Sequence, residues 1–215
     1  MKARAPVLIP RPETAFITEL VANSIASRPE HEQQEVDVVD LCTGSGCIAL
    51  LLAHLLGPKL RRVRGYDIST EALELAQENA RHHKLDDIVK IQHGDIFDSK
   101  LVKEIGKVDV VVSNPPYIPM NEWRRLPRGV REYEDPRALI GDPAGGEGDD
   151  QGLTFYRHIA GMLPHVLKPT GQVAVEIGLG QARDVRMILT DRGGMRRTEV
   201  WKDLYGVKRM VVGWR

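Results

Sequence analysis

The chain has 215 residues, of which 42% are apolar and 28% charged, and its 30 lysines and arginines balance 30 aspartates and glutamates. That length and mixture suit one globular domain with a substantial core, and the neutral balance argues against broad, non-specific nucleic-acid binding while leaving room for a local basic patch. No apolar run reaches the roughly 18 residues of a membrane span, the opening MKARAPVLIPRPET lacks the apolar stretch of a secretory signal, and Cys42 and Cys47 make neither a disulfide framework nor a zinc set, so an intracellular, reducing compartment is expected.

A helix over 13–27 precedes the first strand, VDVVDL at 36–41. GCIALLLAHLL (46–56) reads as a helix buried on much of its surface, and RRVRGYDI (61–68) as the second strand. STEALELAQENARHH (69–83) places Ala72, Leu73, Leu75, Ala76 and Ala80 at helical spacing, with Ser69 or Thr70 as cap and Glu71 and Glu74 beside the N-terminal dipole. Strands follow at 88–97 and 107–116, a helix at 153–167 with Pro164 near its end, a fifth strand at 171–178, a helix near 181–192, and a final strand pair at 196–204 and 207–214. Alternating units of this kind imply a mostly parallel, doubly wound α/β sheet. The glycine-rich, acidic stretch at 141–152 reads as a solvated connection, with a lid as the sharper alternative.

Ligands of such sheets bind at the carboxyl ends of the strands, near the switch in strand order. Three features fall there. DLCTGSGCIA (40–49) ends strand one, and Gly44 and Gly46 permit a tight turn and close approach to the backbone. Asp67 ends strand two, where a carboxylate can accept both ribose hydroxyls of an adenosine. Asp95, at the end of strand three, is placed to meet an adenine edge. Gly44-x-Gly46-x-x-Ala49 also satisfies a dinucleotide fingerprint, so these residues leave NAD and S-adenosylmethionine both open.

SNPPYIP (113–119) narrows the choice. A residue before proline is pushed into extended geometry, and proline has fixed φ and no N–H. Asn114, Pro115 and Pro116 therefore form a stiff segment past strand four that offers carbonyl acceptors. Two fixed acceptors suit a planar NH2 group, and Tyr117 can stack on a flat substrate and exclude water. The pattern reads as a clamp for an NH2 nucleophile, an amide or an amino group on a base. Beside an adenosine cofactor this suggests N-methylation, in which alignment and water exclusion dominate and no serine–histidine pair or metal is needed. His158 and His165 have no acidic or cysteine partner and read as structural; no metal site is expected.

The chain resembles the HemK-type protein-(glutamine-N5) methyltransferases, which modify peptide chain release factors. The resemblance rests on IPRPET (9–14), DLCTGSGCIALLLA (40–53), GYDIS (65–69), GDIF (94–97), VSNPPYIP (112–119) and EYEDPRALIG (132–141). NPPY alone is shared with nucleic-acid amino methyltransferases; RPET with the downstream EDPRAL is more specific. The resemblance implies a seven-stranded Rossmann-like methyltransferase fold with the last strand antiparallel. It also implies S-adenosylmethionine as donor, S-adenosylhomocysteine as product, and the glutamine of a Gly-Gly-Gln loop as acceptor. Carried onto this sequence, Asp40, Thr43, Gly44, Ser45, Gly46, Asp67, Ile68, Asp95, Ile96 and Asn114 line the cofactor. Asn114, Pro115, Pro116 and Tyr117 carry the chemistry, and Arg11, Pro12, Glu13, Asn114, Pro115, Tyr117 and Glu134 meet the substrate. The family carries glycine where Cys42 stands. It also carries a helical module before IPRPET, which here begins at Ile9, so residues 1–215 are expected to be a single catalytic domain, with 1–30 a leading segment and helix and the module absent.

The release factor is the expected partner, with no membrane and no stable nucleic-acid binding, in the cytoplasm of a bacterium or in the mitochondrion or cytosol of a eukaryote. The main rival is an adenine-N6 or guanine-N2 methyltransferase, for which Arg124, Arg125, Arg128 and Arg131 form a possible patch. An NAD oxidoreductase leaves NPPY unexplained, and a non-catalytic module leaves Asn114 and Asp67 without a task.

Overall fold

Pro12 opens the first helix, α1 (Pro12–Ala26), at the one turn where a missing N–H costs nothing. The structure is a computed structural model that describes residues 1–28, 35–142 and 151–215. In chain order α1 is followed by β1 (Val36–Leu41), α2 (Cys47–Leu56), β2 (Leu60–Asp67), α3 (Thr70–His82), β3 (Val89–His93), α4 (Ser99–Ile105) and β4 (Val108–Ser113). Then come the short helices α5 (Met120–Trp123) and α6 (Arg128–Tyr133), α7 (Thr154–Val166), β5 (Leu167–Glu176), α8 (Ala182–Asp191), β6 (Arg197–Lys202) and β7 (Lys208–Trp214).

The seven strands form one sheet in the order β3-β2-β1-β4-β5-β7-β6. β1 pairs in parallel with both β2 and β4, so the winding direction reverses beside it. β7 inserts between β5 and β6 and is antiparallel to both, as expected of the last strand. Two apolar layers cover the sheet. On one side α1, α2 and Ala80 of α3 pack on Val38, Val63, Val110, Val112, Ala174 and Val212. On the other α4, α7 and α8 pack on Val39, Leu41, Val111, Val173, Val175 and Val211. β1 is buried along its whole length, its two aspartates Asp37 and Asp40 included.

The expected boundaries move in places for local reasons. β3 stops at His93, not 97, and the chain leaves it through Gly94, where a side chain would lie 2.7 Å from the Tyr66 ring. Asp95 therefore sits in the loop past the strand and accepts from the Phe97 N–H at 2.9 Å. β5 begins at Leu167, directly after α7. Ser69 is the cap of α3, accepting from the Ala72 N–H. Three short helices, α4, α5 and α6, escaped the periodicity reading because each is under two turns. Most of the 141–152 stretch, and with it the lid alternative, lies outside the described residues. Among the described residues no helix is long and apolar enough to cross a membrane.

Candidate active site

The turn after β1 has positive φ at three alternate positions, Cys42 (58°), Gly44 (55°) and Gly46 (81°). Cys42 is the one that carries a side chain, in a conformation that costs an L-residue about 1–2 kcal/mol. That is the physical reason for a glycine at this place in the family pattern. The turn is closed by backbone bonds from the Thr43 N–H to Tyr66 O (3.0 Å) and from the Gly46 N–H to Thr43 O (2.9 Å). The space where a Gly44 side chain would stand is open, while one at Gly46 would lie 3.2 Å from the Ala76 Cβ of α3. Asn79 Nδ2 holds Ser45 O from behind at 3.0 Å.

Three carboxylates converge on this turn. Asp40 is fully buried and accepts from Thr43 Oγ1 at 2.6 Å. Burial pushes its carboxyl up to about 7, with Asp67 adding to the rise. Asp67 accepts from the Gly44 N–H at 2.9 Å through one oxygen and from the Ser69 N–H at 3.0 Å through the other. Burial raises it too. Each carboxylate oxygen keeps a second lone pair, so a ligand diol can still be accepted. Burial lifts the Cys42 thiol well above its ordinary value, and Asp67, Asp40 and Asp95 all raise it further, which places the three acids around it. Ile68, next to Asp67, is 44% exposed, and Ile96 beyond β3 is buried. An acid-rimmed turn with an exposed apolar side chain beside it fits a cationic adenosine such as S-adenosylmethionine: carboxylates for the ribose and positive charge, Ile68 for an adenine face.

The second half lies at the end of β4. Ser113 ends the strand and donates to Leu41 O at 2.7 Å. Asn114 follows half-exposed, and its side chain makes no hydrogen bond within the chain among the described residues. Pro115 and Pro116 are buried. Ser113 pairs with Val175 across the β4–β5 ladder, so Asn114 is level with Glu176. Glu176 is buried, accepts from Thr14 Oγ1 of α1 at 2.7 Å, and is pushed up to about 7 by burial. Tyr117 packs its ring on the core side, where a side chain on Gly178 would lie 3.0 Å away. Burial and Glu176 push its hydroxyl up to about 12, opposed by Arg209 and Arg11.

Of the N-terminal motif, Arg11 Nη2 spans both oxygens of Glu134, at 2.8 and 2.9 Å. Glu134 is buried and Arg11 half-exposed, so the pair ties the start of α1 to the segment after α6. Pro12 is exposed and Glu13 half-buried. Glu13 raises the Glu176 carboxyl further, while Arg11 and Arg209 oppose the rise. The structure therefore brings Arg11, Glu13, Tyr117 and Glu176 together, with Glu134 behind Arg11. Burial pushes Cys47, at the start of α2, up to about 12, with contributions from both Asp40 and Glu176; the two halves meet there. Of the arginine patch, Arg128 pairs with Glu132 and Arg131 donates to Leu126 O, while Arg124 and Arg125 are exposed.

Sequence reading overlooked Thr14, Glu176, Gln181 and Arg209. A charge at the end of the buried run VAVEIG was the available signal for Glu176. None existed for Gln181.

Strand order, the reversed last strand and the acid-rimmed turn at the switch point define an S-adenosylmethionine-dependent methyltransferase fold, and residues 32–176 match the family described as a methyltransferase domain. TrmN from Thermus thermophilus superposes with a TM-score of 0.59 at 22% identity, over 94% of this chain and 48% of that one. An RNA methyltransferase from Salinibacter ruber in complex with S-adenosylhomocysteine does so at 0.53 and 17%, over 96% and 93%. At those identities the likeness is one of fold. The release factor glutamine methyltransferase of Bacillus cereus is 43% identical over 206 residues, covering 95% of this chain and 68% of that protein. The chain belongs to the release factor glutamine methyltransferase family.

Proposed function

We propose that this chain transfers a methyl group to the side-chain amide nitrogen of a glutamine in a peptide chain release factor, the acceptor being the glutamine of a Gly-Gly-Gln loop. The carrying observation is the Asn114–Pro115 segment: an Asn114 amide with no hydrogen-bond partner among the described residues, on a doubly proline-stiffened strand end beside the acid-rimmed turn. Bound S-adenosylmethionine supplies an electrophilic methyl. Asn114 Oδ1 and the Pro115 carbonyl accept the two amide hydrogens, which fixes where the nitrogen points. Asp67 and Asp95 hold the cofactor's adenosine between Ile68 and Ile96, with Gly44, Ser45 and Gly46 bringing the backbone close. Tyr117 excludes water, and Arg11, Pro12 and Glu13 form the wall against which the substrate loop lies, with Glu134 holding Arg11 from behind. The gain is one of alignment, of the kind worth several kcal/mol when reacting atoms are held near attack distance.

Residues 1–215 act as one catalytic domain in this reading, and the bacterial origin of the curated relatives points to the cytoplasm. Incubation with methyl-labelled S-adenosylmethionine and equal masses of release factor, RNA and DNA tests it. Label is expected on the release factor; label on nucleic acid alone would establish the amino-methyltransferase alternative instead.

A further inference from the structure

Gln181 stands just before α8, buried and 64 positions from Tyr117 in sequence. Its side-chain amide is fully occupied. Oε1 accepts the Gly178 N–H at 2.9 Å, with the Tyr156 hydroxyl at 3.4 Å. Nε2 donates to the Tyr117 carbonyl and to the Gln151 carbonyl, both at 2.9 Å. The surroundings leave no slack: a side chain on Gly152 would lie 2.0 Å from that same Tyr117 oxygen, and one on Gly141 would lie 2.7 Å from Tyr117 Cα. One residue further on, the Ile118 N–H bonds Leu139 O at 2.8 Å and Ile118 O accepts the Gly141 N–H at 3.0 Å.

Between Ser113 and Tyr117 the chain is a short rod. Both prolines have fixed φ, and the residues before them are restricted as well. β4 anchors one end, through the ladder and the Ser113 bond to Leu41. Gln181 anchors the other. We propose that Gln181 is a positioning residue for methyl transfer: by holding the Tyr117 carbonyl it sets the direction in which Asn114 Oδ1 and the Pro115 carbonyl face. The inference rests on the functional reading above and deepens it. Gln181 touches neither donor nor acceptor; it determines whether the acceptors in front of it are in register.

The test compares Gln181→Met, which keeps length and loses all four bonds, with Leu189→Ala, which removes a buried side chain from the same helix without reaching Tyr117. Gln181→Met is expected to lower kcat on a Gly-Gly-Gln peptide about a hundredfold, the usual cost of a misplacement near 1 Å. The Kd for S-adenosylmethionine should stay within about twofold of wild type, since that turn is built from β1 and β2. Amide exchange at Ile118 and Gly141 should quicken in Gln181→Met and not in Leu189→Ala, whose kcat should hold at temperatures where both are folded. Gly152→Ala, which crowds the same carbonyl from the other side, should reproduce the kcat loss and serves if Gln181→Met fails to fold. Wild-type kcat in both Gln181→Met and Gly152→Ala, or an equal loss in Leu189→Ala, would overturn the inference and leave the function standing. A wild-type protein that methylates no glutamine would overturn the functional reading and this inference with it.

Discussion

At the tips of β1 and β2 the cofactor side is tied together by neighbours. The Thr43 N–H reaches Tyr66 O and the Gly46 N–H reaches Thr43 O, and Asp67 takes the Gly44 N–H. The proposed substrate side is assembled from afar: Gln181 holds Tyr117 across 64 positions, Arg11 holds Glu134 across 123, and Thr14 holds Glu176 across 162. A turn made of adjacent strand ends forms whenever the sheet forms. A clamp held by distant side chains can lose its register while the sheet survives. The two sides should therefore fail separately, one in affinity and the other in turnover.

The largest separation is expected at Asn114. Asn114→Ala should lower methyl transfer by about a hundred- to a thousandfold, the range found when a preorganised polar partner of a reacting group is removed. The melting temperature should not move, because the side chain has no hydrogen-bond partner to lose among the described residues. Near-normal turnover on a glutamine substrate would break the comparison on the substrate side.

Asp67→Ala is the mirror experiment. Loss of a hydrogen bond to a charged group costs roughly 1.5–3 kcal/mol, about ten- to a hundredfold in the Kd for S-adenosylmethionine by calorimetric titration. kcat at saturating cofactor should change far less than in Asn114→Ala. An unchanged Kd would reduce Asp67 to the ties it makes with Gly44 and Ser69.

Arg11→Ala should act more mildly. It strips the partner from a buried Glu134, but Arg11 is 41% exposed and solvent weakens the pair, so the loss of stability should be about 1 kcal/mol. The kinetic signature is a raised KM for the protein substrate with an unaltered Kd for the cofactor. A shifted cofactor Kd would mean that the wall and the turn are one unit.

A further comparison concerns pH. Burial pushes the Asp40 and Glu176 carboxyls up to about 7 in the folded chain, from 3.8 and 4.5 ordinarily. Between about pH 4 and pH 7 the folded state binds more protons than the unfolded one, so stability falls as pH rises through that window and is level above it. Thermal melts of Asp40→Asn and Glu176→Gln, one on each side of the site, should each show a flatter pH profile than wild type. A profile as steep as wild type in either variant would remove that carboxyl from the account.

What was legible in the sequence follows the same division. Gly44, Gly46 and Asp67 are placed by strand ends that apolar runs mark clearly, and Pro115 and Pro116 announce their own stiffness. Ser69 could be read as a cap from its place before a helical pattern. The sequence reading of β3 is too long because nothing local shows that Gly94 packs tightly against Tyr66. The helices of 120–133 are too short for a period to register, and α4 hangs on Asp98 capping the Lys100 N–H. Gln181 gave no sign at all, since its importance is a contact with Tyr117 that exists only once β4 and β5 lie side by side.

The central claim is that Asn114 and Pro115 read a carboxamide NH2. It is tested most directly by two peptides that differ in one residue, Gly-Gly-Gln and Gly-Gly-Glu, with kcat/KM measured for methyl transfer and Ki for competition against the release factor. The account predicts methylation of the glutamine peptide alone, and a glutamate peptide that neither accepts methyl nor competes at comparable concentration, because it presents no hydrogens to the two acceptors. Equal competition by the glutamate peptide, or methyl ester formation on it, would contradict the clamp.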